Sequence, residues 1–279
     1  MSKLLYANLE RLLKCRIFWE VEIFMAGYGV FVYAMGANNI RNGAILSDSS
    51  WTIYFFNEML CIGAIMAILT TFYLGVDYSD GTIRNKLIIG HTRKDIYLSN
   101  FFTCYIAGLI AFLTYSAVSF LAGLFLIGAS AYMGMSHMPV RIGYCIVIIL
   151  AYAAIFSIVA MLDTNKTRVA VVELLLVLVF IILMTQIWAD LQEARMTSRA
   201  VVSESGEMEI EENVPNRKYV GGTKRVVYEW IDAFLPADQV MYVLEPDASF
   251  SVKAPICLLA ESVLVVGAGM YIFGKKDIK

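Results

Sequence analysis

Three carboxylic acids stand where a carboxylate is expensive: Glu58, Glu173 and Glu261 each fall inside a long apolar stretch of the 279-residue chain. Placing a charge near the centre of a bilayer costs on the order of 3 kcal/mol, so such groups face a bundle interior, a partner or a watery cavity. Their chemistry is that of negative stations on a path for cations. The competing reading places them near an interface, or neutralises them in helix packing against Tyr, Ser and Thr. The only histidines, His91 and His137, fall on opposite sides of the membrane in the topology below, which leaves no paired-histidine metal centre or general base. The chain has no G-x-x-x-x-G-K-[ST] phosphate loop, no H-E-x-x-H and no G-x-S-x-G, so no catalytic device of its own is expected.

The elements that position these groups follow from composition. Apolar residues make up 59% of the chain and charged residues 16%, far from the balance of a water-soluble domain. A helical crossing needs about 20 mostly apolar residues. Six stretches qualify: Trp19 to Ala37, Thr52 to Val76, Phe101 to Gly128, Ile142 to Leu162, Val169 to Ala189, and Ala254 to Phe273. The expected fold is therefore an all-α membrane protein with six transmembrane helices, since lipid leaves peptide groups only helices or closed barrels. Residues 1–189 hold an N-terminal interfacial helix, spans one to five and a loop at 77–100. Residues 190–253 form an outer segment, and 254–279 the last span and a tail.

Charge placement orients the bundle. With the N-terminus in the cytoplasm, the inner segments carry 13 of the 22 basic residues, and the two short outer loops hold only Arg41 and Arg141. Both termini are expected inside, in the plasma membrane, with the first span retained because no small-residue cleavage site follows it. Before that span, Leu4, Leu5, Leu9, Leu12, Leu13 and Ile17 recur at helical spacing, opposite Lys3, Asn8, Glu10, Arg11 and Lys14, as in a helix lying in the membrane interface. Gly29 and Gly36, on one face, suit close helix approach. The five cysteines lie in or beside spans, so no disulfide framework is implied. A net charge of -2 gives no basic surface for nucleic acid.

The outer segment carries twelve acidic and seven basic residues. Val201-Val202 and Met208 to Ile210 around Ser205-Gly206 predict a hairpin, making this a small α+β extracellular segment before the last span. Val227, Trp230, Ile231 and Phe234 predict an apolar stripe on a helix at the outer membrane surface, ending at Leu235-Pro236.

The loop after the second span has internal structure. Thr82 to Ile89 predicts two helical turns with Ile83 and Leu87 stacked and Arg84 and Lys86 facing away. Gly90 occupies the left-handed position after a helix end, and Thr92 with Asp95 predicts a capping box that opens the third span. The run Asp80-Gly81-Thr82-Ile83-Arg84-Asn85-Lys86-Leu87 resembles the coupling-helix region of type-2 ABC transporter permeases, the ABCG-like exporter group. The wider group often has Glu where this chain has Asp80. The order of parts agrees over nearly the whole chain, and Asn216 to Arg225 with Leu235 to Gln239 is similar to permeases of this group from Gram-positive bacteria.

That resemblance implies a permease, the transmembrane subunit of an ATP-driven exporter, working as a homodimer of permeases with the substrate path between the copies. Each copy would dock a separate cytoplasmic ABC ATPase subunit, which alone would hold ATP and Mg; no cofactor is expected on this chain. Ile83 and Leu87 would form an apolar foot in the ATPase, with Arg84 and Lys86 as rim contacts. The acidic positions lean toward cationic peptides or other amphipathic toxic compounds as substrates. A membrane sensor or immunity protein that binds a peptide without transporting it is the alternative; a membrane-embedded enzyme ranks third.

Overall fold

The computed structural model describes residues 1–43, 50–79, 81–128, 137–202, 208–245 and 250–276. Among them, six helical stretches are long and apolar enough to cross a membrane: Arg16–Arg41, Thr52–Tyr78, Arg93–Leu126, Met138–Leu162, Lys166–Gln192 and Lys253–Lys275. Each overlaps a stretch expected from sequence, and together they fit a multi-pass membrane protein. In chain order the helices are α1 (Ser2–Leu13), α2 (Arg16–Arg41), α3 (Ser50–Phe55), α4 (Met59–Ser79), α5 (Thr82–Ile88), α6 (Arg93–Leu126), α7 (Met138–Leu162) and α8 (Lys166–Gln192). Strands β1 (Met196–Val202) and β2 (Met208–Pro215) follow, then α9 (Gly222–Phe234), α10 (Pro236–Leu244) and α11 (Lys253–Lys275).

The apolar helices divide by burial. In α7, 61% of the most apolar window is buried inside the chain, against 11% in α8. Helix α7 is therefore central and α8 peripheral, turning Val171, Val172, Leu174, Leu175 and Leu178 outward; α11 does the same with Val263 and Leu264. Such a belt has no water-soluble rationale and suits a hydrocarbon solvent. At Gly29 the α2 backbone lies so close to α6 that a Cβ would sit 2.8 Å from Ser119 Oγ and 3.4 Å from the Tyr115 carbonyl oxygen. Gly36 is buried on the same helix.

The second crossing is not one straight helix, as its sequence suggested. Residues 56–58 form a turn between α3 and α4 in which Met59, Leu60 and Cys61 donate to the carbonyls three residues back. Tyr28 of α2 donates its hydroxyl to Asn57 Oδ1 there. Glu58 thus sits at a break in the helix.

Side-chain contacts define the two ends of the bundle. Arg93 at the start of α6 donates to the Phe273 and Lys276 carbonyls at the end of α11. Lys276 Nζ reaches the Tyr78 hydroxyl at 3.0 Å and the Met161 carbonyl at 3.2 Å. The ends of α4, α7 and α11, with α5 and the start of α6, therefore share one end. His91 lies at this end, and His137, which precedes α7, lies at the other.

The opposite end carries β1, β2, α9 and α10, here called the cap. The strands pair antiparallel, Met196 opposite Pro215 and Val202 opposite Met208; Ser205 and Gly206 lie outside the described residues. In α9 the expected stripe is present, with Val227 49%, Trp230 50%, Ile231 38% and Phe234 40% exposed. Leu235 is extended before Pro236, which opens α10 at its first turn. Arg141 is not in a loop as expected but fully buried in α7. Its guanidinium donates to the Val243 and Tyr242 carbonyls, last-turn acceptors of α10 that have no helical partner among the described residues.

Candidate functional site

The polar residues that converge most closely do so where α1, α4, α5 and α6 meet. Asp77, at the end of α4 and completely buried, forms an ion pair with Arg11 of α1 and a second, at 3.1 Å, with Lys86 of α5. Lys86 Nζ also donates to Asn8 Oδ1 at 3.0 Å and Asn100 Oδ1 at 3.4 Å. Asn8 Nδ2 donates to Asn100 Oδ1 at 2.8 Å and Ser99 Oγ at 3.2 Å, and Asn100 Nδ2 donates to Asp77 Oδ2 at 3.2 Å. Tyr73 closes the cluster, donating its hydroxyl to the Asn8 carbonyl at 2.8 Å while its ring lies 4.4 Å below the Arg11 guanidinium. Burial, and then the neighbouring Arg11, push the Lys86 ammonium down to about 7. Buried polar networks of this kind are rigid when satisfied and costly when broken.

Local sequence sets the geometry. Gly81 takes a left-handed φ of 65° before α5, a conformation nearly free for glycine. After α5, Gly90 is left-handed at φ 100°, with Gly90 N–H donating to the Leu87 carbonyl and His91 N–H to the Lys86 carbonyl. This pair of bonds is the Schellman arrangement expected of glycine there. Thr92 Oγ1 then accepts from the Asp95 N–H, which is the N-cap half of the expected box, while the Asp95 carboxylate accepts from the Thr92 hydroxyl rather than from its backbone N–H. Helix α5 is thereby held as a short rod between two fixed corners.

The placement of the loop residues corrects the expected division of labour. Ile83 is 1% exposed and joins the core, and Leu87 packs half-buried against it, so neither forms an outward foot. Lys86 is not a rim residue, since it is buried in the Asp77 cluster. The reason is the tight turn at Gly81, which folds the apolar stripe of α5 back onto the bundle and takes position 86 with it. Thr82 is half-buried, Arg84 is exposed as expected and Asn85 is exposed beside it; Asp80 lies outside the described residues. The outward apolar surface belongs to Ile88 and Ile89, 73% and 78% exposed. Asn8 and Arg11 likewise leave the polar face expected of α1: with Leu4 and Leu12 they make the side that packs on the bundle. Sequence reasoning missed Tyr73, Asp77 and Asn100; the available signal was polar residues at the very ends of two apolar runs.

The three intramembrane carboxylates are not gathered. Glu58 is fully buried, and neither of its oxygens has a hydrogen-bond partner among the described residues. Glu173 of α8, also fully buried, accepts from Thr70 at 2.8 Å and Thr71 at 2.7 Å. Those threonines lie twelve and thirteen residues beyond Glu58, roughly 18–20 Å along α4. Glu261 stands half-buried on α11, which packs on α6, α7 and α9, and no hydrogen bond among the described residues joins it to either of the others. The five cysteines are free thiols. Comparison with models of known protein families and with curated proteins finds no match to this chain.

Proposed function

We propose that this chain is the permease subunit of an ATP-driven exporter of the type-2 ABC class. Two copies would form the translocation path in the plasma membrane with both termini cytoplasmic, and each copy would be driven by a separate ATPase subunit. The observation that carries the reading is α5: a short helix braced by glycine corners, tied through Lys86 and Asp77 to α1, α4 and α6, and presenting Ile88 and Ile89 outward beside Arg84. A force applied to such a rod passes to packed helices as a rigid displacement, the mechanics that coupling to ATP hydrolysis needs. An exposed isoleucine pair with a basic neighbour suits a partner's apolar groove with an acidic rim. Peptides or other amphipathic toxic compounds are the proposed cargo, and the intramembrane acids Glu58, Glu173 and Glu261 the proposed stations along the path. The sensor or immunity reading draws on the acidic cap.

Purification from native membranes in mild detergent tests the assignment. The exporter reading expects an ATPase to co-purify and hydrolyse Mg-ATP, and expects Ile88→Asp with Ile89→Asp to release it without lowering the thermal midpoint, since both side chains are exposed. A chain that carries no ATPase, or whose ATPase stays bound and coupled after that double change, refutes it. A chain that binds peptide and never an ATPase supports the sensor reading.

A further inference from the structure

We infer that the open cavity lined by α7, α9, α10 and the start of α11 is a binding site for an organic cation on a flexible stem, the chemistry of an arginine or lysine side chain in a peptide. The cavity has a volume of about 280 Å³ and is lined by Tyr144, Glu229, Asp232, Gln239, Tyr242 and Lys253, among others. That volume is at the small end for ligand sites and suits one long side chain rather than a folded ligand.

One buried carboxylate oxygen carries the inference. Asp232 lines the cavity and is only 8% exposed, yet its Oδ1 has no hydrogen-bond partner among the described residues. Its other oxygen accepts from the Tyr242 hydroxyl at 3.3 Å, and its backbone carbonyl from Gln239 Nε2 at 2.6 Å. A buried carboxylate oxygen left unbonded is costly, and a donor entering the cavity would remove that cost.

The surrounding charges favour a cation as that donor. Asp238 of α10 is fully buried, with neither carboxyl oxygen hydrogen-bonded among the described residues; burial and the Asp232 charge keep it protonated, so Asp232 carries the charge of the pair. Glu229 adds a third acid, bonded at 3.2 Å by Arg225. Among the described residues Lys253 is the one basic side chain lining the cavity; its charge acts on Asp232 from a distance, but its ammonium sits 4.1 Å over the Trp230 ring and forms no ion pair with Asp232. Tyr144 and Tyr242 offer ring faces that attract an ammonium or guanidinium. A metal ion is a poorer guest, because among the described residues no three His, Cys, Asp or Glu side chains are grouped to hold one.

This site does not depend on the exporter reading, because binding is measured without ATP. The full chain in phosphatidylcholine nanodiscs at pH 7.5 is titrated calorimetrically with Nα-acetyl-arginine methylamide, and with the uncharged Nα-acetyl-citrulline methylamide as control. Saturable binding of the arginine probe alone is expected. Asp232→Asn should weaken it at least tenfold without lowering the thermal midpoint, and Lys253→Gln should tighten it about threefold. Equal binding of both probes, or unchanged affinity in Asp232→Asn, overturns the inference. Should Asp232→Asn fail to fold, unchanged or weaker binding by Lys253→Gln overturns it as well.

Discussion

Replacing Asp77 by alanine removes the anion that pairs with both Arg11 and Lys86 while both basic side chains stay tethered in a buried cluster. Asp77 is completely buried and the Lys86 side chain is 10% exposed, so water cannot substitute for the lost carboxylate. Breaking one side of a buried ion pair costs about 3–5 kcal/mol, because an uncompensated charge is left behind. At about 2–4 °C per kcal/mol for a chain of this size, the thermal midpoint should fall by roughly 6–20 °C. Lys86→Met makes the milder case: it removes a cation that burial already disfavours and leaves Asp77 paired with Arg11, so its cost should be about 1–3 kcal/mol, that of the acceptor stranded on Asn8, below that of Asp77→Ala. The two variants are compared by fluorescence-detected size-exclusion after heating in one detergent. An Asp77→Ala protein as stable as the parent, or a Lys86→Met protein damaged as severely as Asp77→Ala, refutes the view that Asp77 organises the cluster.

Other expectations follow from the same structure. Burial and the neighbouring Asp232 push the Asp238 carboxyl up to about 8 from an ordinary 3.8, so between about pH 4 and pH 8 the folded chain keeps a proton that the unfolded chain has released. Stability should therefore fall as pH rises through that window. Asp238→Asn should flatten this part of the pH–stability curve, and an unaltered curve would contradict the burial argument. Lys86 runs the other way: its folded value near 7 lies below the unfolded 10.5, so its contribution to stability rises from about pH 7 to pH 10.5, and Lys86→Met should abolish that rise. Changing Thr70 and Thr71 together to Val strips Glu173 of both donors and should destabilise by about 1–3 kcal/mol per lost bond, measured by thermal melting; a neutral outcome would mean other donors serve that carboxyl. Gly29→Val forces α2 away from Ser119 and should cost about 1–3 kcal/mol, whereas Gly27→Val, with nothing within 4 Å of its Cβ position, should be tolerated.

Legibility in the sequence followed the range of the interactions. The six apolar helices were readable because spanning length and hydropathy are properties of contiguous residues. Gly90, Thr92 with Asp95, and the α9 stripe were readable for the same reason, since each is complete within a few residues. The Asp77 cluster was not, because it joins Asn8 to Asn100 across the fold, and a helical wheel of α1 alone assigns Asn8 and Arg11 to the polar side. The same limit explains Ile83 and Lys86: their orientation is set by the turn at Gly81 and by the surface α5 folds onto, neither of which is encoded in the spacing of α5 itself. The break at 56–58 left no Gly or Pro to announce it.

For the exporter assignment to hold, the exposed side of α5 must face the cytosol, where an ATPase can reach it. Arg84→Cys in a background with the five native cysteines replaced, treated in intact cells with a membrane-impermeant maleimide, tests this directly. No labelling until the cells are permeabilised is the expected result. Labelling of intact cells would place α5 outside and contradict the exporter assignment.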